Sequence, residues 1–125
     1  MVKLSFGLQE RLKGKKRIEE LFGTGSAFRL HPFKVLYQIN QHNKASHQVL
    51  FAAPGRYFKK AVDRNKIKRR TREAYRLQKS KLSETPALVI GFIYTSREIE
   101  PYQKIHQAMG KAMQQINKRL MEAAG

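Results

Sequence analysis

Ala87–Tyr94 (ALVIGFIY) is the longest apolar run in the chain. A membrane-spanning helix needs about 20 such residues, so this run is too short to cross a bilayer. It suits a β-strand buried on both faces, which requires cover from the rest of the sequence. Tyr102–Ala123 can supply part of it as a helix. Ile105, Met109, Ala112, Ile116 and Leu120 fall on one stripe, with Lys and Gln filling the rest. Upstream, Phe33–Ile39 alternates, with Phe33, Val35 and Tyr37 on one face and Lys34, Leu36 and Gln38 on the other. Pro32 sits just before it, where a missing amide costs little. Gln48–Ala53 alternates in the same way through Val49, Phe51 and Ala53, and the polar stretch Gln41–Ser46 reads as the turn of a hairpin. Lys15–Phe22 predicts a short helix with Ile18, Leu21 and Phe22 on one side, ended by Gly23 and Gly25. Phe58 to about Leu82 predicts a long helix between Pro54-Gly55 and Pro86. The order helix–hairpin–helix–strand–helix predicts an α/β (α+β) two-layer sandwich on a small mixed sheet. The 125 residues fit a single domain, 1–125, without repeats or linkers.

Charge narrows the function. Twenty-six Lys and Arg face nine Asp and Glu, a net charge of +17. A compact domain with that charge repels itself unless it sits beside a polyanion, and nucleic acid is the leading partner. An anionic membrane is the rival, but it calls for an amphipathic helix with exposed Phe or Leu opposite Lys. The apolar stripe of the last helix is better used as core. There is no cysteine, hence no disulfide, thiolate nucleophile or Cys–zinc site. The opening MVKLSFGLQERLKG lacks the apolar core of a signal peptide. A soluble, cytoplasmic protein without membrane contact is expected.

The basic residues are concentrated. Arg56–Lys81 holds 12 of the 26, with only Asp63 and Glu73 as acids. Successive helical residues turn by about 100°. Arg64, Lys68 and Arg72 then form one ridge and Asn65, Arg69 and Arg76 the next, with Lys66 and Arg70 carrying charge further round. Only Ile67, Thr71 and Ala74, widened by Leu77, remain for a core strip. Like charges four residues apart oppose the helix by a few tenths of a kcal/mol per pair. Phosphates between the arginines remove that penalty, and arginine forks onto them. Asn65 can donate and accept, so it can read a base edge or a 2′-hydroxyl.

Catalytic constellations are missing from the pattern. His31, His42, His47 and His106 share no metal-ligand spacing, Glu19-Glu20 and Glu98/Glu100 read as solvated charges, and Gly23-Thr24-Gly25 is no phosphate loop. Phe33 and Tyr37 on one strand face resemble a platform for unpaired bases, with core packing as the alternative.

Arg64-Asn65-Lys66-Ile67-Lys68-Arg69-Arg70-Thr71-Arg72, preceded by Ala61-Val62 and followed by Tyr75, resembles the signature helix of the bacterial ribonuclease P protein family. Arg11-Leu12, Phe22, Gly25 and the Phe33/Leu36/Tyr37 strand extend the resemblance from about Arg11 to Leu120. The chain departs from the family at Arg56-Tyr57-Phe58-Lys59-Lys60, where the pattern is Lys-Lys-x-Gly-x. The resemblance implies a left-handed βαβ crossover through the basic helix. It also implies a subunit that binds a catalytic RNA and the 5′ leader of precursor tRNA, with the active site and its Mg²⁺ ions in the RNA and no protein partner required. RNA contacts are expected from Lys59, Lys60, Arg64, Asn65, Lys66, Lys68, Arg69, Arg70, Arg72 and Arg76, with Arg69 and Arg72 turned toward the catalytic RNA. A leader cleft is expected from Phe22, Phe33, Tyr37, Asn65 and Lys68. The competing reading is a ribosomal or other structural RNA-binding protein without a processing role.

Overall fold

A computed structural model describes residues 10–41 and 46–124. Its elements are α1 (Lys15–Thr24), β1 (Ser26–Leu30), β2 (Phe33–Ile39), β3 (Gln48–Ala52), α2 (Ala61–Gln78), β4 (Leu88–Tyr94) and α3 (Tyr102–Ala124), with a 3-10 turn at Lys79–Lys81 after α2. All seven residues of β4 are buried, as the apolar run requires. The four strands form one mixed sheet in the order β1-β2-β4-β3. β4 runs antiparallel to β2, with Phe33 opposite Tyr94, and parallel to β3, with Gln48 opposite Val89.

This order corrects the expected hairpin. β2 and β3 do not pair with each other, because β4 lies between them. A strand apolar on both sides is satisfied best between two neighbours, and β4 takes that place. The true hairpin is β1 with β2, joined through His31-Pro32, and the sequence reading left β1 out altogether. Only Phe28 and Leu30 of β1 are even half-buried, so its alternation is faint. Where the chain passes from β2 toward β3, buried Asn40 clasps the end of β4. Its N–H donates to the Ala87 carbonyl (2.8 Å), its Nδ2 to Gln48 Oε1 (3.1 Å), and its Oδ1 accepts from Arg17 (3.0 Å).

The sheet carries helices on both faces, one layer more than the two-layer arrangement expected. On one face α1 lays Leu21 against Leu36, Val89 and Ile93, joined by Leu12. Gly91 makes the seat, since a Cβ there would stand 3.2 Å from a Leu21 methyl. On the other face α2 and α3 cover Phe33, Val35, Val49, Ile90, Phe92 and Tyr94. The Phe51 and Phe92 rings stack at 5.9 Å, and Tyr75 of α2 meets Phe51 edge-on at 5.8 Å. Aromatic pairs of this kind add about 0.5–1.5 kcal/mol beyond their buried area. Tyr75 therefore fills the core strip of α2, while Leu77, expected there, is 41% exposed.

Candidate nucleic-acid interface

Relative to buried Ile67, Arg64 and Arg70 sit roughly 60° to either side of the core strip of α2. Both turn back onto the protein. Arg64 Nη1 donates to the carbonyls of Phe58 (2.7 Å) and Lys59 (2.8 Å), fastening the loop that enters the helix. Arg70 Nη1 donates to the Glu100 carbonyl (2.7 Å), fastening the loop that enters α3. Arg76 is held by Glu73, its Nε donating to Oε2 at 3.0 Å. That hydrogen bond lowers the Glu73 pKa and raises that of Arg76.

The remaining predicted contacts differ. Asn65, Lys66 and Arg69 are exposed and Lys68 and Arg72 half-buried, and none of these side chains has a hydrogen bond or ion pair among the described residues. Lys59 and Lys60 are exposed at the entry to the helix. Val62, 76% exposed, shares the outer face with Asn65 and Arg69. The outer side of α2 is thus a ridge of unneutralised cations with one apolar contact point, while the side nearest the core holds the arginines that have internal acceptors.

The residues expected for the leader cleft fall in different environments. Phe33 is 1% exposed and packs edge-on against Phe92 and Tyr94 at 5.9 and 6.1 Å, so it belongs to the core and cannot stack a base. It lies mid-sheet under two helices, a position that alternation alone does not distinguish from an open face. Tyr37 is half-buried in a hollow with Thr24, Gln38, Ile39, Arg119 and Leu120. Asn65 and Lys68 do not line this hollow, and neither does Phe22, which is 51% exposed on α1. The structure supplies a cation there that the sequence reading missed. Arg119 of α3 stands over the Phe28 ring at 4.8 Å, and Phe28 and Tyr37 are 6.1 Å apart. Arg119 becomes visible only once β1 brings Phe28 beside Tyr37.

The histidines serve locally. His31 Nε2 lies 3.3 Å from Glu100 Oε1, and His106 Nδ1 lies 3.2 Å from the Tyr102 hydroxyl. His47 is held through both nitrogens: Leu88 N–H donates to Nδ1 (2.9 Å) and Nε2 donates to the Ser83 carbonyl (2.8 Å). Burial lowers its pKa. His42 lies outside the described residues. Among the described residues no three His, Asp or Glu side chains gather as a metal site, and no helix is long and apolar enough to cross a membrane.

The model of one family, Ribonuclease P, matches residues 6–117. The ribonuclease P protein component of Porphyromonas gingivalis is 34% identical over 120 residues, covering 90% of this chain and 88% of its own. That of Chlorobaculum tepidum is 32% identical over 101 residues, covering 70% and 66%. Among solved structures, the Staphylococcus aureus RNase P protein aligns with a TM-score of 0.72 at 22% identity, covering 87% of this chain and 95% of its own. The Thermotoga maritima RNase P protein aligns at 0.73 and 20% identity, covering 85% and 96%. These two structures share the fold described above.

Proposed function

The chain belongs to the ribonuclease P protein family, and on that premise we propose that it binds the catalytic RNA of ribonuclease P and the 5′ leader of precursor tRNA, assisting removal of the leader. The observation that carries this reading is the outer face of α2, where Lys66, Lys68, Arg69 and Arg72 have no acceptor among the described residues while Arg64 and Arg70 do. Cations left unpaired along one helix are stabilised by a phosphate backbone, and binding releases the counterions that backbone carries. Asn65 and Val62, on the same face, can meet base edges and riboses.

Tyr37 is the residue suited to stack a leader base, with Arg119 beside it as a neighbour able to hold a phosphate. Phe22 offers a second exposed ring outside the hollow. The chain's own residues bind and orient RNA. On this reading the metal ions and bond cleavage belong to the RNA, in the cytoplasm where precursor tRNA is made.

The test is reconstitution. RNA-free protein should leave precursor tRNA intact, yet restore cleavage when added to a ribonuclease P RNA at low Mg²⁺. Cleavage by the protein alone would overturn the assignment of the active site, and failure to stimulate the RNA would overturn the function.

A further inference from the structure

At the opposite end of the sheet from Tyr37, two loops meet. The turn after β3 carries Arg56 and Tyr57, and the loop after β4 carries Arg97. The Arg56 guanidinium stands 4.9 Å from the centre of the Tyr57 ring and that of Arg97 5.5 Å from it. The three residues alone line a surface concavity. Neither arginine has an ion pair or hydrogen bond among the described residues, and neighbouring Glu98 pairs with neither. Two guanidiniums gathered on one ring without a carboxylate make an anion site, since their mutual repulsion falls when an anion lies between them.

The arrangement is fixed in advance. Tyr57 packs against the main core, and its N–H donates to the Pro54 carbonyl (3.3 Å). The Arg97 loop is pinned by the phenol of buried Tyr94, which donates to the Glu98 carbonyl (2.6 Å) and accepts from Glu100 N–H (2.9 Å). Ser96 Oγ accepts from Glu98 N–H (3.1 Å), and Arg70 of α2 holds the Glu100 carbonyl. A site whose side chains stand on braced loops loses little freedom on binding. The turn after β3 supplies Arg56, and Arg97 brings a second cation from another loop.

We propose that Arg56, Tyr57 and Arg97 form a phosphate clamp for RNA, separate from the outer face of α2. The two guanidiniums hold a backbone phosphate, and the Tyr57 ring receives the adjoining ribose or base. This rests on the RNA-binding reading above and adds to it a second point of attachment.

The test measures binding of full-length protein to a transcribed bacterial ribonuclease P RNA over a range of salt. Precursor and mature tRNA are then measured in the reconstituted holoenzyme. The R56Q/R97Q double variant should bind about tenfold more weakly, with a log K against log[salt] slope shallower by roughly 1 to 2. Tyr57→Leu keeps the packing and should weaken binding about threefold with the slope unchanged. A loss seen with the catalytic RNA alone places the phosphate there, and a loss confined to leader-bearing tRNA places it in the leader. A double variant with wild-type circular dichroism, affinity and slope on both overturns the clamp while leaving the family reading intact. Wild-type protein that binds no RNA overturns both.

Discussion

α2 and α3 lie side by side on one face of the sheet, yet different forces hold them there. α3 buries Ile105, Ala108, Met109, Ala112, Met113 and Ile116, a continuous apolar stripe. α2 buries Ile67, Thr71, Ala74, Tyr75 and Gln78, and two of these are polar. Its attachment leans on specific hydrogen bonds. Gln78 Nε2 donates to the His106 carbonyl on α3 (2.9 Å), with the Gln78 amide so close that a Cβ on Gly110 would lie 2.7 Å from its oxygen. Arg64 and Arg70 fasten the two loops at its flanks. A helix anchored by a narrow strip and a few directed bonds leaves most of its circumference open. That allows so many cations to face outward without being drawn into the core.

The comparison can be broken most forcefully at α3. Ile105→Ala removes a fully buried side chain and should destabilise the fold by about 2–5 kcal/mol in urea unfolding. A loss under about 1 kcal/mol would mean that burial does not hold α3. On the outer face of α2 the pattern should reverse. Arg69→Ala and Arg72→Ala should each weaken assembly with the catalytic RNA by about 1.5–3 kcal/mol, while unfolding free energy stays within about 0.5 kcal/mol of wild type. A matching drop in stability would show that these arginines belong to the fold.

Gln78→Leu sharpens the contrast between the helices. It removes the side-chain donor that ties α2 to the His106 carbonyl of α3, so stability should fall by about 0.5–1.5 kcal/mol. RNA affinity of the protein that remains folded should hold near wild type. Equal stability would mean that the α2–α3 contact is apolar after all.

The smallest effect concerns the segment leading from α2 to β4, which His47 clasps. The folded state favours the neutral ring, because Leu88 N–H needs Nδ1 as an acceptor and burial lowers the pKa below 6.5. The unfolded chain takes up a proton near that ordinary value, so stability should be greatest above about pH 6.5 and decline as the pH falls through it. His47→Gln should flatten that decline. An undiminished pH dependence would place its origin elsewhere.

Much of this was legible in the residues. The stripe of α3, the apolar β4 and the charge of α2 each fixed an element, because each depends on local spacing alone. Pairing was harder. Alternation identified β2 and β3 as strands but carries no record of which neighbours they choose, and proximity in sequence favoured joining them. β4 held the corrective information, since a strand apolar on both faces has reason to sit between two others. The site divided in the same way. Helical spacing found the outer ridge of α2, whereas Phe33 required knowing that two helices cover its face. Arg119 and Arg97 act beside rings contributed by distant segments, and local spacing cannot show such meetings.

The insertion of β4 between β2 and β3 also governs how the chain reaches this shape. Phe33 must wait for Tyr94, and Gln48 for Val89, before the middle of the sheet can close. Contacts so distant along the chain carry the loop-closure entropy that slows folding. β1 with β2 can zip early as a local hairpin, but β3 has no strand partner until the last third of the chain arrives. The strongly basic α2 lies inside that waiting loop, so its self-repulsion opposes the closure. A polyanion present at that moment would ease closure, and the partner the protein binds when folded would then also hasten its folding.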